Sequence, residues 1–288
     1  MRKRNDKGEV IRYKARFVAQ GFTQRFGIDY TDTYSPVMDA TSFRWLIHFT
    51  IQRSLHMRLM DVVIAYLYGD LDKDIYMKIP EELCNSMQLG KFRNPSIKLC
   101  KSLYGLKQAG RMWYQHLSQY LLSHGFKNDD ICPCIFIKHY LKEFVIIAIY
   151  VDDLNIIGTS NAIEDVVAML RCQFEMKDLG LTTFCLGLQI EHLSNGIHLH
   201  QSSDIHKILK WFSMYQAHFI RTLVVVRSLY PSRDPFQSRS SNKSALGPQY
   251  PYMVVVGALM YLANCTHPDI LFAVNLLARY SHDPTRPH

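Results

Sequence analysis

The stretch that decides the fold is FVIIAIYVDDLNIIG, residues 144–158. Phe144 to Ile149 is a short apolar run, and Leu154 to Ile157 is a second one, ending at Gly158. Runs this short and this rich in Ile and Val predict two buried strands. Only Tyr150-Val151-Asp152-Asp153 lies between them, so they form a tight hairpin with the acids at or beside its turn. Two neighbouring carboxylates between apolar strands are costly unless a positive charge neutralises them. A bound divalent cation would do so, and hard oxygen ligands suit Mg²⁺. An ordinary hairpin with Asp as a turn residue fits the same letters. These residues alone leave both readings open, and a third acid upstream tips the balance.

That acid is Asp61, in MRLMDVVIAYLYGDL, residues 57–71. Met57, Leu59 and the Val62–Val63 pair predict a strand with one carboxylate embedded in it. Embedded single acids are rarely left unpaired. Either Asp61 makes a salt bridge to an arginine, or it meets Asp152 and Asp153 across a sheet and shares their metals.

Around these strands the chain alternates helical and extended patterns. Residues 41–54 are helical by the spacing of Phe43, Leu46, Ile47, Thr50 and Ile51, with Thr41 or Ser42 as cap. Residues 75–80 are a short strand ending at Pro80, and 84–97 a loop. A helix from about Arg111 to His124 carries Trp113, Leu117, Tyr120 and Leu121 on one face and stops at Gly125. Asn161 to Glu164 reads as a capping box, followed by an amphipathic helix through Ile163, Val166, Val167, Leu170 and Phe174. Two further strands, TTFCLGLQIEH and GIHLHQ, flank a turn at Ser194-Asn195-Gly196. Residues 203–227 are mostly helical or mixed, 228–250 a flexible connector, and the end holds two helical stretches broken by Pro268. At the start, Arg12, Lys14 and Arg16 alternate with Tyr13, Ala15 and Phe17, as on a strand with one cationic face. The whole is an α+β pattern.

Lys plus Arg number 33 against 25 acids, a net charge of +8, which favours a polyanionic partner. With 48% apolar residues the chain can build a sizeable core. The seven cysteines form no spaced disulfide framework, so a reducing compartment is the simpler expectation. Cys132-Pro-Cys134 fits no common zinc spacing and reads as core thiols. His198 and His200 alternate as on a solvated strand face rather than as a ligand pair. No apolar run reaches membrane-span length, and the polar start MRKRNDKGEV does not read as a signal peptide.

Several ordered stretches resemble one family: KARFVAQGFTQ (14–24), IDYTDTYSPV around Asp29 to Pro36, MDVVIAYLYGDL (60–71), IYMKIPEEL (75–83) and KSLYGLKQAGRMWY (101–114). HGFKNDDICPCIF (124–136), YVDD (150–153), FEMKDLG (174–180), LGLQI (186–190) and residues 252–284 continue the match. The chain resembles the reverse transcriptase domain of copia-type LTR retrotransposons, part of their Pol polyprotein. The resemblance implies a right-hand polymerase of fingers, palm and thumb, with an antiparallel palm sheet and flanking helices. Its expected divisions are residues 1–56 (partial fingers and entry to the palm), 57–72 (palm strand with the first acid) and 73–108 (fingers and nucleotide pocket). Residues 109–200 (palm with YVDD hairpin and primer grip) and 201–288 (thumb, leading towards RNase H) complete it.

It further implies RNA-directed DNA polymerisation, with Asp61, Asp152 and Asp153 as the catalytic acids. Asp61 and Asp152 would bridge two Mg²⁺ ions roughly 3.5–4 Å apart, or Mn²⁺ in their place, with Asp153 in support and the Val62 carbonyl as a further ligand. Tyr66 resembles a steric gate against a ribose 2′-hydroxyl. Lys14 and Arg16 resemble triphosphate-side cations, and Gly105, Lys107 and Gln108 lie in the nucleotide-pocket stretch. Leu186, Gly187 and Gln189 resemble the primer grip, where close backbone approach to nucleic acid explains the glycine. Lys177 would serve as proton donor to pyrophosphate. Partners implied are an RNA or DNA template with primer, deoxynucleotides, and the RNase H and integrase parts of Pol. Copying is expected in cytoplasmic particles, with the nucleus as the other compartment. The sequence departs from the family at Gly110, where Pro is usual, and at FIRTLVVVRSLYPSRDP (219–235), where a Pro-Val-x-Thr-Pro core is usual. A fragment or decayed copy that keeps the palm fold and nucleic-acid binding without turnover is therefore the alternative. A palm-type nucleotidyl cyclase would leave the fingers and primer-grip matches unexplained.

Overall fold

The computed structural model describes residues 2–4, 10–13, 15–80, 83–84, 95–140, 143–218, 236, 239, 244–247 and 250–286. They form two compact units, residues 1–38 with 48–182, and residues 39–47 with 183–288. In chain order, strand β1 (Arg2–Arg4) pairs with β2 (Val10–Tyr13), and helix α1 (Ala40–Gln52) leads into β3 (His56–Val62). Two short strands follow, β4 (Tyr76–Lys78) and β5 (Ser96–Lys98), and then helix α2 (Ala109–Ser123). Strands β6 (Lys127–Asn128), β7 (Ile135–His139), β8 (Phe144–Tyr150) and β9 (Asp153–Gly158) precede helix α3 (Ser160–Gln173) and strand β10 (Met176–Leu181). The second unit adds β11 (Phe184–Cys185), β12 (Leu188–Leu193), β13 (Gly196–His200), α4 (Ser202–Trp211), α5 (Tyr252–Cys265) and α6 (Leu271–Ala278).

The first unit is built on a six-stranded antiparallel sheet in the order β10-β3-β9-β8-β7-β6. Its centre is the apolar hairpin that opened the sequence reading. Val145 to Ile149 on β8 and Leu154, Ile156 and Ile157 on β9 are all buried, so both faces of these strands are covered. Helix α3 packs on β8 and β9. It buries Ala162, Ile163, Val166, Val167 and Leu170, the period expected of an amphipathic helix. Helix α2 buries Met112, Trp113, Leu117 and Leu121 in the same way. Phe174, at the end of α3, meets Tyr68, Trp113 and Tyr120 edge-on at 5.1, 5.4 and 5.2 Å, a favoured geometry for aromatic quadrupoles. The second unit has a three-stranded sheet, β11-β12-β13, and packed helices; Tyr252 of α5 donates its hydroxyl to the Leu277 carbonyl of α6 at 2.9 Å. Among the described residues no helix is long and apolar enough to cross a membrane.

Five local expectations are corrected. Helix α1 is capped by Asp39, not Thr41 or Ser42: its carboxylate accepts from both their amides, at 2.6 and 2.8 Å. An Asp before the first turn outcompetes hydroxyls inside it because it can receive two orphan N–H groups at once. Asn161 and Glu164 form no capping box, since α3 starts at Ser160 after Thr159 and Glu164 instead pairs with Arg58. Strand character at the start ends at Tyr13, so Arg16 lies on irregular chain. The stretch from Thr182 to His192 is two strands, because Leu186 and Gly187 both take positive φ (52° and 70°) and turn the chain back. The loop expected at 84–97 gives way to β5 at Ser96; residues 85–94, Lys14 and 219–235 lie outside the described residues.

Candidate active site

The β8–β9 hairpin closes through two residues, Val151 and Asp152, since Tyr150 and Asp153 are the last paired positions. Val151 has φ 57°, a left-handed conformation that a β-branched residue adopts only when its surroundings impose it. Two bonds hold the turn. The indole of Trp113, 1% exposed, donates to the Val151 carbonyl at 2.6 Å. The Val62 amide donates to the Asp152 carbonyl at 2.8 Å. The sequence marked Trp113 only as a core face; nothing in its spacing points to the hairpin.

Strand β3 runs antiparallel beside β9, and in its register Asp61 lies directly opposite Asp153. Residues so paired share a face of the sheet, with Cβ atoms about 4.5–5.5 Å apart. Asp61 and Asp153 therefore stand side by side, and Asp152 adjoins them in the turn. The salt bridge to an arginine that could have explained Asp61 is absent from the contacts of the described residues. The Arg58 guanidinium turns instead to Glu164 and Asp178. What reaches Asp61 is Lys177. Strand β10 pairs on the outer side of β3 with Lys177 opposite Asp61, and its Nζ is 3.6 Å from the carboxylate.

One ammonium does not balance three carboxylates. Burial, then the charges of Asp152 and Asp61, push the Asp153 carboxyl up to about 6. Like charges directly opposite on a sheet are destabilising unless a cation relieves them. The donor set is oxygen only, half-buried and clustered, which fits a hard divalent ion.

Above the acids sits an aromatic pair. Tyr66, in the single 3₁₀ turn after β3, has its ring centroid 4.8 Å from Tyr104, and the Arg16 guanidinium lies 5.3 Å over the Tyr104 ring. Burial first, then the Asp152 charge, raises the pKa of both phenols. Tyr66 rests on an apolar cluster of Ala19, Ile75, Leu103, Leu106 and Ala109. The structure thus joins Arg16, Tyr66 and the acids through Tyr104, a residue the sequence did not single out. Gly105 beside it has φ 92°, and a Cβ there would lie 2.1 Å from the Ala19 carbonyl, so only glycine lets these two segments meet.

The other marked residues divide. Lys107 is exposed, with its amide bonded to Gln24 Oε1 at 2.7 Å. Gln108 is fully buried: its amide nitrogen donates to the Asp29 carbonyl and its oxygen accepts from Gln24, each at 3.0 Å. It braces the neighbouring loop and offers no free edge to a nucleotide. Gly110 lies in the first turn of α2, where the Ser35 hydroxyl donates to its carbonyl at 3.1 Å. In the second unit, Leu186 and Gly187 form the β11–β12 turn, and Gln189 Oε1 accepts from the Ser203 amide at 2.8 Å. Glycine at 187 is already required by its φ and by Tyr261 and Asp204, whose oxygens a Cβ would approach to 3.0 and 3.2 Å; nucleic acid is not needed to explain it.

The family model described as "Reverse transcriptase (RNA-dependent DNA polymerase)" matches residues 1–225. The chain belongs to the reverse transcriptase family. It is 37% identical over 288 residues to the retrovirus-related Pol polyprotein from transposon RE1 of Arabidopsis thaliana, covering 100% of this chain and 19% of that protein. To the corresponding polyprotein from transposon TNT 1-94 of Nicotiana tabacum it is 34% identical over 284 residues, 97% of the chain and 21% of the relative. A transposon Ty5-1 protein of Saccharomyces cerevisiae is 33% identical over 233 residues, 80% of the chain and 71% of that protein. The chain is thus a reverse transcriptase domain of the copia type, spanning about a fifth of the plant polyproteins it matches. Reverse transcriptase domains generally use divalent metal ions and bind template and primer, in keeping with the oxygen cluster and the net charge of +8.

Proposed function

We propose that this reverse transcriptase domain adds deoxynucleotides to a primer 3′-hydroxyl on an RNA or DNA template, and that Asp61, Asp152 and Asp153 are its catalytic acids. The observation that carries the reading is the register of β3 against β9, which sets Asp61 opposite Asp153 with Asp152 in the adjoining turn. In this reading the trio holds two Mg²⁺ ions, or Mn²⁺, with the Val62 carbonyl beside them. Bound divalent ions would activate the attacking oxygen and neutralise the leaving pyrophosphate.

The remaining roles belong to side chains. Lys177 neutralises part of the acid cluster in the resting domain and gives a proton to the departing pyrophosphate during turnover. Tyr66, fixed by Tyr104 and the apolar cluster beneath, excludes a ribose 2′-hydroxyl. Arg16, with Lys14, meets the triphosphate, and Lys107 the nucleotide or template. Leu186, Gly187 and Gln189 hold the primer strand. A fingers, palm and thumb arrangement and a place within a Pol polyprotein carrying RNase H and integrase complete the proposal.

Primer extension tests it. The purified domain, an RNA template with a DNA primer, deoxynucleotides and Mg²⁺ should give extended product. Asp152→Asn and Asp61→Asn should each lower the rate by about a thousandfold or more, as loss of a group acting only in the transition state does. Folded wild-type protein that extends no primer with either Mg²⁺ or Mn²⁺ would establish the alternative, a remnant that keeps the fold without turnover.

A further inference from the structure

Away from the acids, the described residues bring two imidazoles and one carboxylate to a single point. Strands β12 and β13 are joined by the turn at Ser194 and Asn195, and Glu191 lies directly opposite His198 in their register. His200, two residues on, faces the same side, because strand side chains alternate. The imidazole rings stack with centroids 5.1 Å apart and an interplanar angle of 20°. Glu191 lies between their nitrogens: Oε2 is 3.4 Å from His198 Nδ1 and Oε1 is 3.1 Å from His200 Nε2. One ligand atom from each of the three residues falls within 4.8 Å of the other two.

These are the spacings of a ligand set. Donors about 2.0–2.2 Å from a tetrahedral ion are separated by about 3.3–3.6 Å, near the gaps of 3.4 and 3.1 Å that run from the two imidazoles to the two oxygens of Glu191. His200 is prepared for the role. Its Nδ1 lies 2.9 Å from the Ser202 hydroxyl and 3.4 Å from the Ser202 amide, which fixes the ring with Nε2 turned to Glu191, where a bound ion would replace the shared proton. The His200 side chain is 17% exposed, whereas those of His198 and Glu191 are 58% and 57% exposed, so one ligand is anchored and the site opens to solvent. Two imidazoles with one carboxylate select a borderline transition-metal dication over Mg²⁺, which keeps to oxygen. The solvated-face expectation for His198 and His200 described their exposure and missed Glu191, because pairing across a hairpin turn cannot be read from either strand alone.

We propose that Glu191, His198 and His200 form a binding site for a divalent ion of the Zn²⁺ class, with water in the fourth position, distinct from the aspartates of the first unit. Such an ion would clasp β12 to β13 in place of the two hydrogen bonds that Glu191 now accepts.

The test uses the whole chain, stripped of metal, with Zn²⁺ alone as the probe, and reads binding rather than polymerisation. Thiols also bind zinc, so the comparison is between variants that keep all seven cysteines. His198→Ala with His200→Ala should bind one Zn²⁺ fewer per chain than wild type, and His48→Ala, an exposed histidine outside both sites, the same number as wild type. Glu191→Gln should weaken the zinc affinity assigned to this site by tenfold or more. Equal zinc stoichiometry in wild type and the double variant would overturn the site, as would loss of the same equivalent in His48→Ala. Should the double variant misfold by circular dichroism, the single exposed change His198→Gln replaces it; unchanged zinc affinity there would overturn the proposal equally.

Discussion

Asp153 is the residue on which the electrostatics of the domain concentrate. Its carboxyl is raised to about 6 by burial and by two acidic neighbours, so the folded chain holds a proton that an unfolded aspartate releases near 4. Below that lower value both states are protonated and the folded state loses nothing. As pH rises through the window from about 4 to 6, the folded state must either keep the proton or ionise in a poor setting, so stability falls. In EDTA, wild type should therefore lose melting temperature between pH 4 and 7 relative to Asp153→Asn, and the variant should melt higher at pH 7.5. Mg²⁺ should narrow that gap by stabilising wild type. Melting curves of the two proteins with and without the ion check this, and parallel curves would remove the charge-crowding argument. Tyr66 allows a second prediction. Tyr66→Ala opens the space beside the acids and should raise ribonucleotide incorporation relative to deoxynucleotide by tenfold or more in a competition assay. Unchanged sugar selection would leave Tyr66 as a packing residue on its apolar cluster.

At the scale of elements, the acidic hairpin owes its shape to helix α2 as much as to its own strands. The Trp113 indole is the donor to the carbonyl of Val151, whose left-handed backbone is otherwise unfavourable. Trp113→Phe should keep most of the ring packing but remove that donor, costing about 1–3 kcal/mol of stability. It should also lower the extension rate more than the binding of primer–template, because Asp152 is the next residue of the turn. A variant with lower stability but normal rate would make Trp113 a core residue only. Sequence reading reached β8, β9 and β3 because their apolar runs have no other explanation, and the aspartates stood out against that background. It missed β10, whose MKDLGL is polar and half-exposed, and with it the partnership of Lys177 and Asp61. It assigned Tyr104 no role, because an aromatic in a mixed stretch carries no period that tells a site from a core.

For the molecule as a whole, the surplus of eight positive charges should govern contact with nucleic acid. Affinity for a primer–template should fall steeply and log-linearly with salt concentration, since each neutralised phosphate releases counterion. A salt titration by fluorescence anisotropy checks it, and a flat response would assign the charge another purpose. Residues 183–200 cluster with the C-terminal helices. The reason is local: the Tyr261 hydroxyl of α5 donates to the Leu186 carbonyl and Thr266 donates to Gln201 at 2.7 Å, ties between distant stretches that no pattern in either one announces.

The outermost strand of the large sheet, β10, is irregular between Asp178 and Gly180, where one extra residue is accommodated against β3. Arg58 grips the Asp178 side chain at that spot, and the Gly180 amide donates to it at 2.9 Å. This knot acts as a stop against sliding. Shortening the chain by one residue between Phe174 and Lys177 would set the end of α3 against that stop; a strand that yields by one position turns the lysine to the opposite side. Asp178 would then stand beside Asp61 and add a like charge, so on the proposed function a single-codon deletion there should lower primer extension while sparing every one of the chain's aspartates.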